Sequence, residues 1–241
     1  MILSNQTILI TGGTSGIGLA LGRKLLNLKN EVILMGRNEQ KLSQLEMEGF
    51  KTITCDLGNQ ASIETAVMEI QKNYTNLTML FNNAGVQFNY DFTGNAIPLN
   101  KIHQEVTTNF TGQLILTQLL IPFLTTSEKA FIINTTSGLG AFPKADGLIY
   151  SATKAAIRNF TVGLHYALKN TSIKVLEFIP PVTDTEMTQG RIDKKMSPDA
   201  LIEHILPQLK KERRILTVTK MRLFLWIAFL SPNLANKILS K

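Results

Sequence analysis

Tyr150, Lys154 and Ser137 have the residue types and the spacing for acid–base chemistry at an oxygen atom. Tyr150 and Lys154 are four positions apart, so on a helix they share one face and the ammonium can reach the phenol. A free phenol titrates near pH 10, and a neighbouring positive charge lowers its pKa towards the range useful for proton transfer. Ser137 precedes Tyr150 by thirteen residues and can hold a substrate oxygen by a hydrogen bond. For the pair alone, the alternative is an ordinary surface tyrosine and lysine on a helix.

The elements that must position these residues follow from the hydrophobic pattern of the 241-residue chain. The predicted strands are Thr7–Ile10, Glu31–Met35, Lys51–Thr54, Met79–Phe81, Ala130–Asn134, Ile173–Ile179 and Ile215–Thr217. The predicted helices are Gly16–Leu28, Asn38–Glu48, Ser62–Asn73, Lys101–Leu124, Tyr150–Lys169 and Pro198–Lys211. Apolar strands alternating with helices predict an α/β fold, a single doubly wound parallel sheet that is Rossmann-like, with about seven strands and helices on both faces. We predict one domain over residues 1–241, with ligands bound at the carboxyl ends of the strands.

A glycine-rich turn follows the first predicted strand and opens the first helix. Its glycines permit a tight turn, a close approach of the backbone to a pyrophosphate, and close packing of helix on strand. The helix N-terminus then offers unpaired N–H groups to the phosphates. The alternative is a glycine-rich turn without a ligand. The residues that we expect to contact the phosphates are Gly12, Thr14, Ser15, Gly16, Ile17 and Gly18.

The ends of the next strands predict a dinucleotide that carries a 2′-phosphate. No carboxylate ends the second strand to hold a ribose hydroxyl, and Arg37 follows it with a guanidinium that suits a phosphate. We therefore predict NADP(H), with NAD(H) less favoured, although Arg37 could also be a solvated surface residue. After the third strand, Asp56 beside Leu57 can accept from the adenine amino group, or it caps the next helix. After the fourth strand, Asn82 can tie neighbouring strands together. The small segment that follows can approach the adenosine through Asn83, Ala84 and Gly85.

These motifs resemble the classical short-chain dehydrogenases/reductases in order and spacing over roughly residues 5–190. The matching positions are Thr11–Gly18, Asp56, Asn82–Gly85, Asn109, Ser137, Tyr150 and Lys154. The resemblance implies hydride transfer between NADP(H) and a small-molecule carbonyl or alcohol substrate. It also implies that Tyr150 and Lys154 contact the cofactor. Asn109 would be a fourth catalytic residue, holding a water that relays protons to Lys154.

The loop after the sixth strand departs from the family pattern at one position. The family has Pro-Gly where this chain has Pro180 and then Pro181, which fixes φ and removes an N–H. The resemblance implies that the Thr185 hydroxyl contacts the cofactor, and that Val182 and Thr183 line the nicotinamide. Pro180 is a further predicted cofactor-binding residue. The double proline followed by Asp-Thr is similar to a bacterial subgroup typified by the oxidoreductase of the D-alanyl-lipoteichoic-acid operon.

The C-terminal quarter carries most of the net charge of +7, since residues 186–241 hold 11 basic and 5 acidic side chains. We predict a substrate lid over residues 186–197 and an apolar helical segment over residues 220–241, too short to span a bilayer. Leu223–Leu230 is apolar on every face. We expect it to cover the substrate cleft or pack in a homo-oligomer (dimer or tetramer), with peripheral membrane contact as the alternative. No recognition pattern accompanies the charge, so we predict no nucleic-acid partner.

The remaining composition places the chain in the cytoplasm, with membrane association as the alternative. Its one cysteine, Cys55, excludes an intrachain disulfide, and the N-terminus lacks the features of a secretion signal. The three histidines show no ligand spacing, so we predict no metal site. Two other functions stay open, a non-catalytic NADP(H)-binding sensor and a membrane-surface protein on the same fold. The presence of Ser137, Tyr150 and Lys154 together argues against a sensor, which has no need of them.

Overall fold

Seven short strands form one parallel sheet in the computed structural model, which describes residues 1–94, 97–192 and 194–233. The strands are β1 (Thr7–Thr11), β2 (Glu31–Gly36), β3 (Lys51–Thr54), β4 (Leu77–Asn82), β5 (Ala130–Thr135), β6 (Ile173–Ile179) and β7 (Ile215–Thr217). Every residue of β1 and of β5 is buried, as expected for strands covered on both faces. The predicted fold class is confirmed, with strand ends that lie within two residues of the predicted ones.

Helices cover both faces of the sheet. They are α1 (Gly16–Asn27), α2 (Glu39–Glu46), α3 (Gln60–Asn73), α4 (Leu99–Val106), α5 (Gly112–Leu124), α6 (Leu148–Ala167), α7 (Pro198–Lys210) and α8 (Thr219–Leu230). Apolar side chains of α1, α2 and α7 pack on one face. Those of α3, α5 and α6 pack on the other face. The predicted C-terminal segment 220–241 is described only as far as residue 233, and residues 234–241 lie outside the described part.

The strand order β3-β2-β1-β4-β5-β6-β7 reverses direction between β1 and β4. The connections that leave the carboxyl ends of these two neighbouring strands diverge, which opens a crevice between them. Because all seven strands are parallel, the turns that follow them meet along the same edge of the sheet. This edge is where the fold can hold a ligand.

The predicted helix Lys101–Leu124 is confirmed as one helical stretch over residues 99–124, in which a π-helical turn that the pattern does not predict joins α4 to α5. This turn, Thr107–Thr111, contains Asn109. The side-chain amide of Asn109 forms hydrogen bonds with both the N–H and the carbonyl of Val86. Val86 lies in a distant part of the sequence, so apolar periodicity does not reveal this contact. Single π turns inside α-helices are frequent at functional sites. The sequence pattern also does not predict three short 3₁₀ turns, Gly138–Gly140, Ala145–Gly147 and Glu186–Thr188.

A buried chain of side-chain hydrogen bonds ties the central strands to the helices beside them. Asn82 of β4 and Asn134 of β5 are paired in register, and the Asn82 Nδ2 donates to the Asn134 Oδ1 at 2.8 Å. The same Nδ2 donates to the Thr117 hydroxyl of α5 at 2.8 Å, and the Asn134 Nδ2 donates to the Thr161 hydroxyl of α6 at 2.9 Å. The prediction that Asn82 ties neighbouring strands together is confirmed.

Asn82→Ala should lower the free energy of unfolding by about 1–3 kcal/mol, because it leaves the buried Asn134 and Thr117 oxygens without their donor. Urea unfolding of the purified protein measures this change. Asn76→Ala, at an exposed turn position, is the control and should change stability by less than about 0.5 kcal/mol. Equal stability of the two variants would show that the chain of hydrogen bonds does not hold the sheet.

Candidate active site

A cleft of about 780 Å³ opens at the switch point, along the carboxyl ends of β1 to β4. Its walls come from the turns after these strands and from the loop after β6. Twelve of the predicted cofactor residues line it: Gly12, Thr14, Ser15, Gly16, Ile17, Arg37, Asp56, Leu57, Asn83, Ala84, Gly85 and Thr185. The structure therefore gathers into one cleft residues that lie far apart in the sequence.

The glycine-rich turn after β1 is packed too closely for side chains at its key positions. Gly12 has φ +65°, and a Cβ there would lie 2.8 Å from the Ala84 Cα. A Cβ on Gly18 would lie 2.3 Å from the Gly12 carbonyl oxygen, so Gly18 serves the packing of α1 on the turn and does not line the cleft. Backbone without side chains thus forms the floor of the cleft beside α1.

The N-terminus of α1 faces the cleft with its N–H groups free of side-chain caps. Ser15 occupies the N-cap position without accepting a hydrogen bond from the helix, and the first turn contains no acidic residue. Both Ser15 and the next two residues line the cleft. Unpaired N–H groups and the positive end of the helix dipole suit a phosphate at this position.

Two cations line the far end of the cleft, beyond β2. Arg37 is exposed and immediately precedes α2, whose N-cap is Asn38. Lys41, which the sequence analysis missed, also lines the cleft, and its Nζ lies 3.2 Å from the Glu186 Oε1 in the loop after β6. Lys41 could have been found because it lies four residues after Arg37, in the first turn of α2.

Asp56 does not cap α3, which excludes that alternative. Asn59 is the N-cap residue, and its Oδ1 accepts from the Ser62 N–H at 3.2 Å. The Asp56 Oδ1 instead accepts from the Gly58 N–H at 2.9 Å, which leaves the carboxylate at the wall of the cleft. A contact from Asp56 to an adenine amino group stays a prediction.

Thr11, at the end of β1, holds the turn after β4 in place, a role that the sequence analysis did not assign. Its hydroxyl oxygen accepts from the Asn83 N–H at 2.9 Å and from the Ala84 N–H at 3.0 Å. The hydroxyl donates in turn to the Phe81 carbonyl. Gln113 of α5 donates to the Ala84 carbonyl at 2.7 Å. The wall opposite the glycine turn is therefore fixed by bonds from both neighbouring elements.

Tyr150 and Lys154 lie on the buried face of α6 and do not themselves line the cleft. Their residues are 8% and 3% exposed, so neither is an ordinary surface residue. The Lys154 Nζ donates to the Thr135 carbonyl, at the end of β5, at 2.8 Å. A Cβ on Gly85, which lines the cleft, would lie 3.8 Å from that Nζ. Gly85 thus connects the cleft to the Tyr150–Lys154 pair.

Burial governs the titration of both residues. Burial raises the pKa of Tyr150 to about 12; a hydrogen bond with the Ser137 hydroxyl and the charge of Arg191 lower it, and Glu105 raises it. Burial lowers the pKa of Lys154 to about 8. The net shift of the phenol's pKa is upward because burial outweighs the groups that lower it, and a lowering of this pKa by Lys154 stays a prediction. The Lys154 ammonium donates a hydrogen bond to the Thr135 carbonyl, and its Nζ lies 5.7 Å from the centre of the Tyr150 ring.

Asn109 lies behind this pair, fully buried in the π turn. Its Oδ1 accepts from the Val86 N–H at 2.8 Å, and its Nδ2 donates to the Val86 carbonyl at 2.8 Å. A longer bond of 3.3 Å runs from Nδ2 to the hydroxyl of Thr153, which is next to Lys154. The structure thus brings Asn109 next to the candidate site, while the role of holding a water stays a prediction.

Six predicted cofactor residues do not line the cleft: Gly18, Tyr150, Lys154, Pro180, Val182 and Thr183. Thr183 is buried, its hydroxyl donates to the Pro181 carbonyl at 2.9 Å, and it pairs with Met196 in a short parallel bridge. This bridge and an ion pair between Lys195 and Asp184 close the predicted lid at its base. Residue 193 of the lid lies outside the described residues.

Helix α8 packs against the catalytic end with one side and is exposed on the other. The Met221 Sδ would lie 2.9 Å from a Cβ on Gly138, next to Ser137, and Phe224 meets Phe142 edge-on at 5.9 Å. The segment therefore packs beside Ser137, while its role as a cover of the substrate cleft stays a prediction. The exposed large side chains of α8 are Leu223, Trp226, Phe229 and Leu230. Among the described residues, no helix is both long enough and apolar enough to cross a membrane.

Comparison with known proteins places this geometry in a family. The family model described as short chain dehydrogenase matches residues 6–196. The uncharacterized oxidoreductase DltE of Bacillus subtilis is 36% identical over 90% of this chain and 89% of its own length. Both findings agree with the motifs and with the subgroup predicted from the double proline.

Solved structures show the same fold at lower identity. A short chain dehydrogenase from Burkholderia cenocepacia, in complex with NADP, has a TM-score of 0.89 at 21% identity, with all of both chains covered. A short chain dehydrogenase/reductase from Burkholderia phymatum, in complex with NAD, has a TM-score of 0.82 at 19% identity and covers 95% of this chain and 96% of that one. The family model and the relative at 36% identity extend over most of the sequence, so the chain belongs to the short-chain dehydrogenase/reductase family of oxidoreductases.

Proposed function

We propose that the chain is an NADP(H)-dependent oxidoreductase that interconverts a carbonyl and an alcohol, with Tyr150 as the proton donor and acceptor. One observation supports this most strongly. A cleft suited to a dinucleotide is lined by Gly85, and a Cβ on Gly85 would lie 3.8 Å from the buried Lys154 Nζ. A phenol and an ammonium on one helix face beside such a cleft are the groups that proton transfer to a substrate oxygen requires.

The residues of the cleft fit a dinucleotide along its length. The glycine turn and the uncapped N-terminus of α1 would hold the pyrophosphate, where backbone packing leaves no room for side chains. Asp56 and the Asn83–Gly85 segment would hold the adenosine, and Thr185 would contact the nicotinamide half. When bound, NADPH supplies the hydride for carbonyl reduction, and NADP⁺ accepts it for alcohol oxidation.

The chain's own residues would move the proton. The Ser137 hydroxyl holds the substrate oxygen, and Tyr150 donates its proton to that oxygen as the carbonyl becomes an alcohol. The phenolate that remains is stabilised by the Lys154 ammonium, whose charge the Thr135 carbonyl holds on the same side of α6. The high pKa of the free phenol means that Tyr150 begins the reduction fully protonated, in the form that can donate.

We further propose that NADP(H) is preferred over NAD(H). The related structures were solved with either cofactor, so the preference depends on the residues after β2. Arg37 and Lys41 both line that end of the cleft, where two cations would bind a 2′-phosphate. In the described part of the chain, no acidic residue stands at the end of β2, where a carboxylate would hold the ribose 2′-hydroxyl of NAD(H).

Tyr150→Phe should reduce turnover of a carbonyl substrate by about a hundredfold or more, because it removes only the proton donor. NADPH oxidation across a panel of aldehydes, ketones and quinones measures turnover, and fluorescence titration measures NADPH affinity, which should hardly change. Tyr166→Phe is the matched control, since Tyr166 lies on the same helix with 61% of its surface exposed. Retention of more than about a tenth of the activity by Tyr150→Phe would show that another group is the acid. Cofactor binding without turnover of any panel member would favour the sensor.

Arg37→Ala should weaken NADPH binding by about tenfold and leave NADH binding nearly unchanged, because only NADPH carries the 2′-phosphate. Because Arg37 is exposed, the expected loss of NADPH binding free energy is at the low end of the range for a hydrogen bond to a charged group. The dissociation constants of both cofactors, measured by titration at fixed salt, test this. Arg213→Ala removes an exposed arginine just before β7 and should change neither constant. A parent protein that binds NADH as tightly as NADPH would contradict the preference.

A further inference from the structure

Arg191 carries a buried guanidinium nitrogen that has no hydrogen-bond partner among the described residues. The atom is Nη2, and Arg191 also forms no ion pair with any described residue. A buried donor on a charged group is costly when it is left unpaired, so such a nitrogen in a native fold calls for a ligand. Arg191 falls within the predicted lid over residues 186–197.

The loop that carries Arg191 folds over the catalytic end of the cleft. The Arg191 N–H donates to the Thr188 carbonyl at 3.2 Å, which continues the 3₁₀ turn Glu186–Thr188. From the same turn, Met187 lines the cleft, and its Cε would lie 3.9 Å from a Cβ on Gly85. A Cβ on Gly85 would also lie 3.8 Å from the Lys154 Nζ, so the loop and the catalytic lysine meet at the same glycine.

The charge of Arg191 acts on the phenol of Tyr150, the residue that the proposed function places beside the reacting oxygen. Burial is the main influence on the pKa of Tyr150 and raises it, while the positive charge of Arg191 acts in the opposite direction. Glu105, fully buried on α4, also acts on the phenol, but its Oε1 is held by the Phe88 N–H at 2.9 Å. Arg191 is therefore a cation near the phenol that no described protein group neutralises.

We propose that Arg191 binds a carboxylate of the substrate, so that the substrates are oxo acids and the corresponding hydroxy acids. A guanidinium pairs with a carboxylate through charge-assisted hydrogen bonds, and at the edge of a buried site such a bond is strong. Arg191 is one unpaired cation, and the Glu105 carboxyl also acts on the phenol of Tyr150. A ligand with a single negative charge therefore suits this position better than a phosphate dianion does. The inference rests on the proposed function, because it takes Tyr150 as the residue beside the reacting oxygen.

The test compares 2-oxo, 3-oxo and 4-oxo carboxylic acids with their neutral amides, in steady-state NADPH oxidation by the full chain. For the acid with the best-placed carboxylate, kcat/KM should exceed that of its amide by about tenfold or more. Arg191→Met keeps the apolar part of the side chain and removes the charge, so it should lower kcat/KM for the acid by a similar factor and leave the amide unchanged. Lys194→Met is the control, because it makes the same charge change at an exposed position of the same loop.

A second readout requires no turnover. Saturated carboxylic acids of the same lengths should raise the Tm of the NADP⁺-loaded parent protein and of Lys194→Met, but not that of Arg191→Met. The inference would be overturned by equal kcat/KM for acids and amides in the parent protein, or by an equal loss of kcat/KM in Lys194→Met and Arg191→Met. In either case the turnover itself would still support the proposed function. Carboxylate binding that depends on Arg191, with no reduction of any panel member, would support the anion site and contradict the oxidoreductase.

Discussion

The Lys154 ammonium is almost completely buried, and the structure around Tyr150 and Lys154 depends on the hydrogen bond that stabilises this charge. A buried charge is costly unless it is bonded, and the Thr135 carbonyl at the end of β5 accepts from the Nζ at 2.8 Å. This bond fixes α6 against the carboxyl end of the sheet, and Tyr150 lies one turn earlier on the same face. The 3₁₀ turn Gly138–Gly140 packs tightly against α6, because a Cβ on Gly140 would lie 2.6 Å from the Lys154 carbonyl oxygen.

The parallel sheet explains why the cleft and the Tyr150–Lys154 pair are neighbours. All strand ends lie along one edge, so the turn after β4 reaches both the glycine turn after β1 and the lysine held at the end of β5. The Asn82–Asn134 pair locks β4 and β5 in register, and hydrogen bonds to α5 and α6 continue from it. Gly85 of the turn after β4 lines the cleft and lies beside the Lys154 ammonium.

Features that depend on local spacing could be predicted from the sequence, whereas features that depend on distant contacts could not. The seven strands, the glycine turn and the shared face of Tyr150 and Lys154 follow from periodicity and i, i+4 geometry. The π turn at Asn109 depends on Val86, and the bond that holds Lys154 depends on a backbone carbonyl that carries no sequence signal. The direction of the Tyr150 pKa shift depends on burial, which spacing does not reveal. The unpaired nitrogen of Arg191 is likewise visible only in three dimensions.

A crystal structure of the protein grown with NADP⁺ tests most directly whether the cleft and the Tyr150–Lys154 pair form one site. The predicted result is a dinucleotide along the cleft, with its 2′-phosphate beside Arg37 and its nicotinamide half in contact with the side chains of Tyr150 and Lys154. A dinucleotide bound in the opposite direction, or one whose nicotinamide lies away from Tyr150, would contradict the assignment of these residues to a single catalytic site.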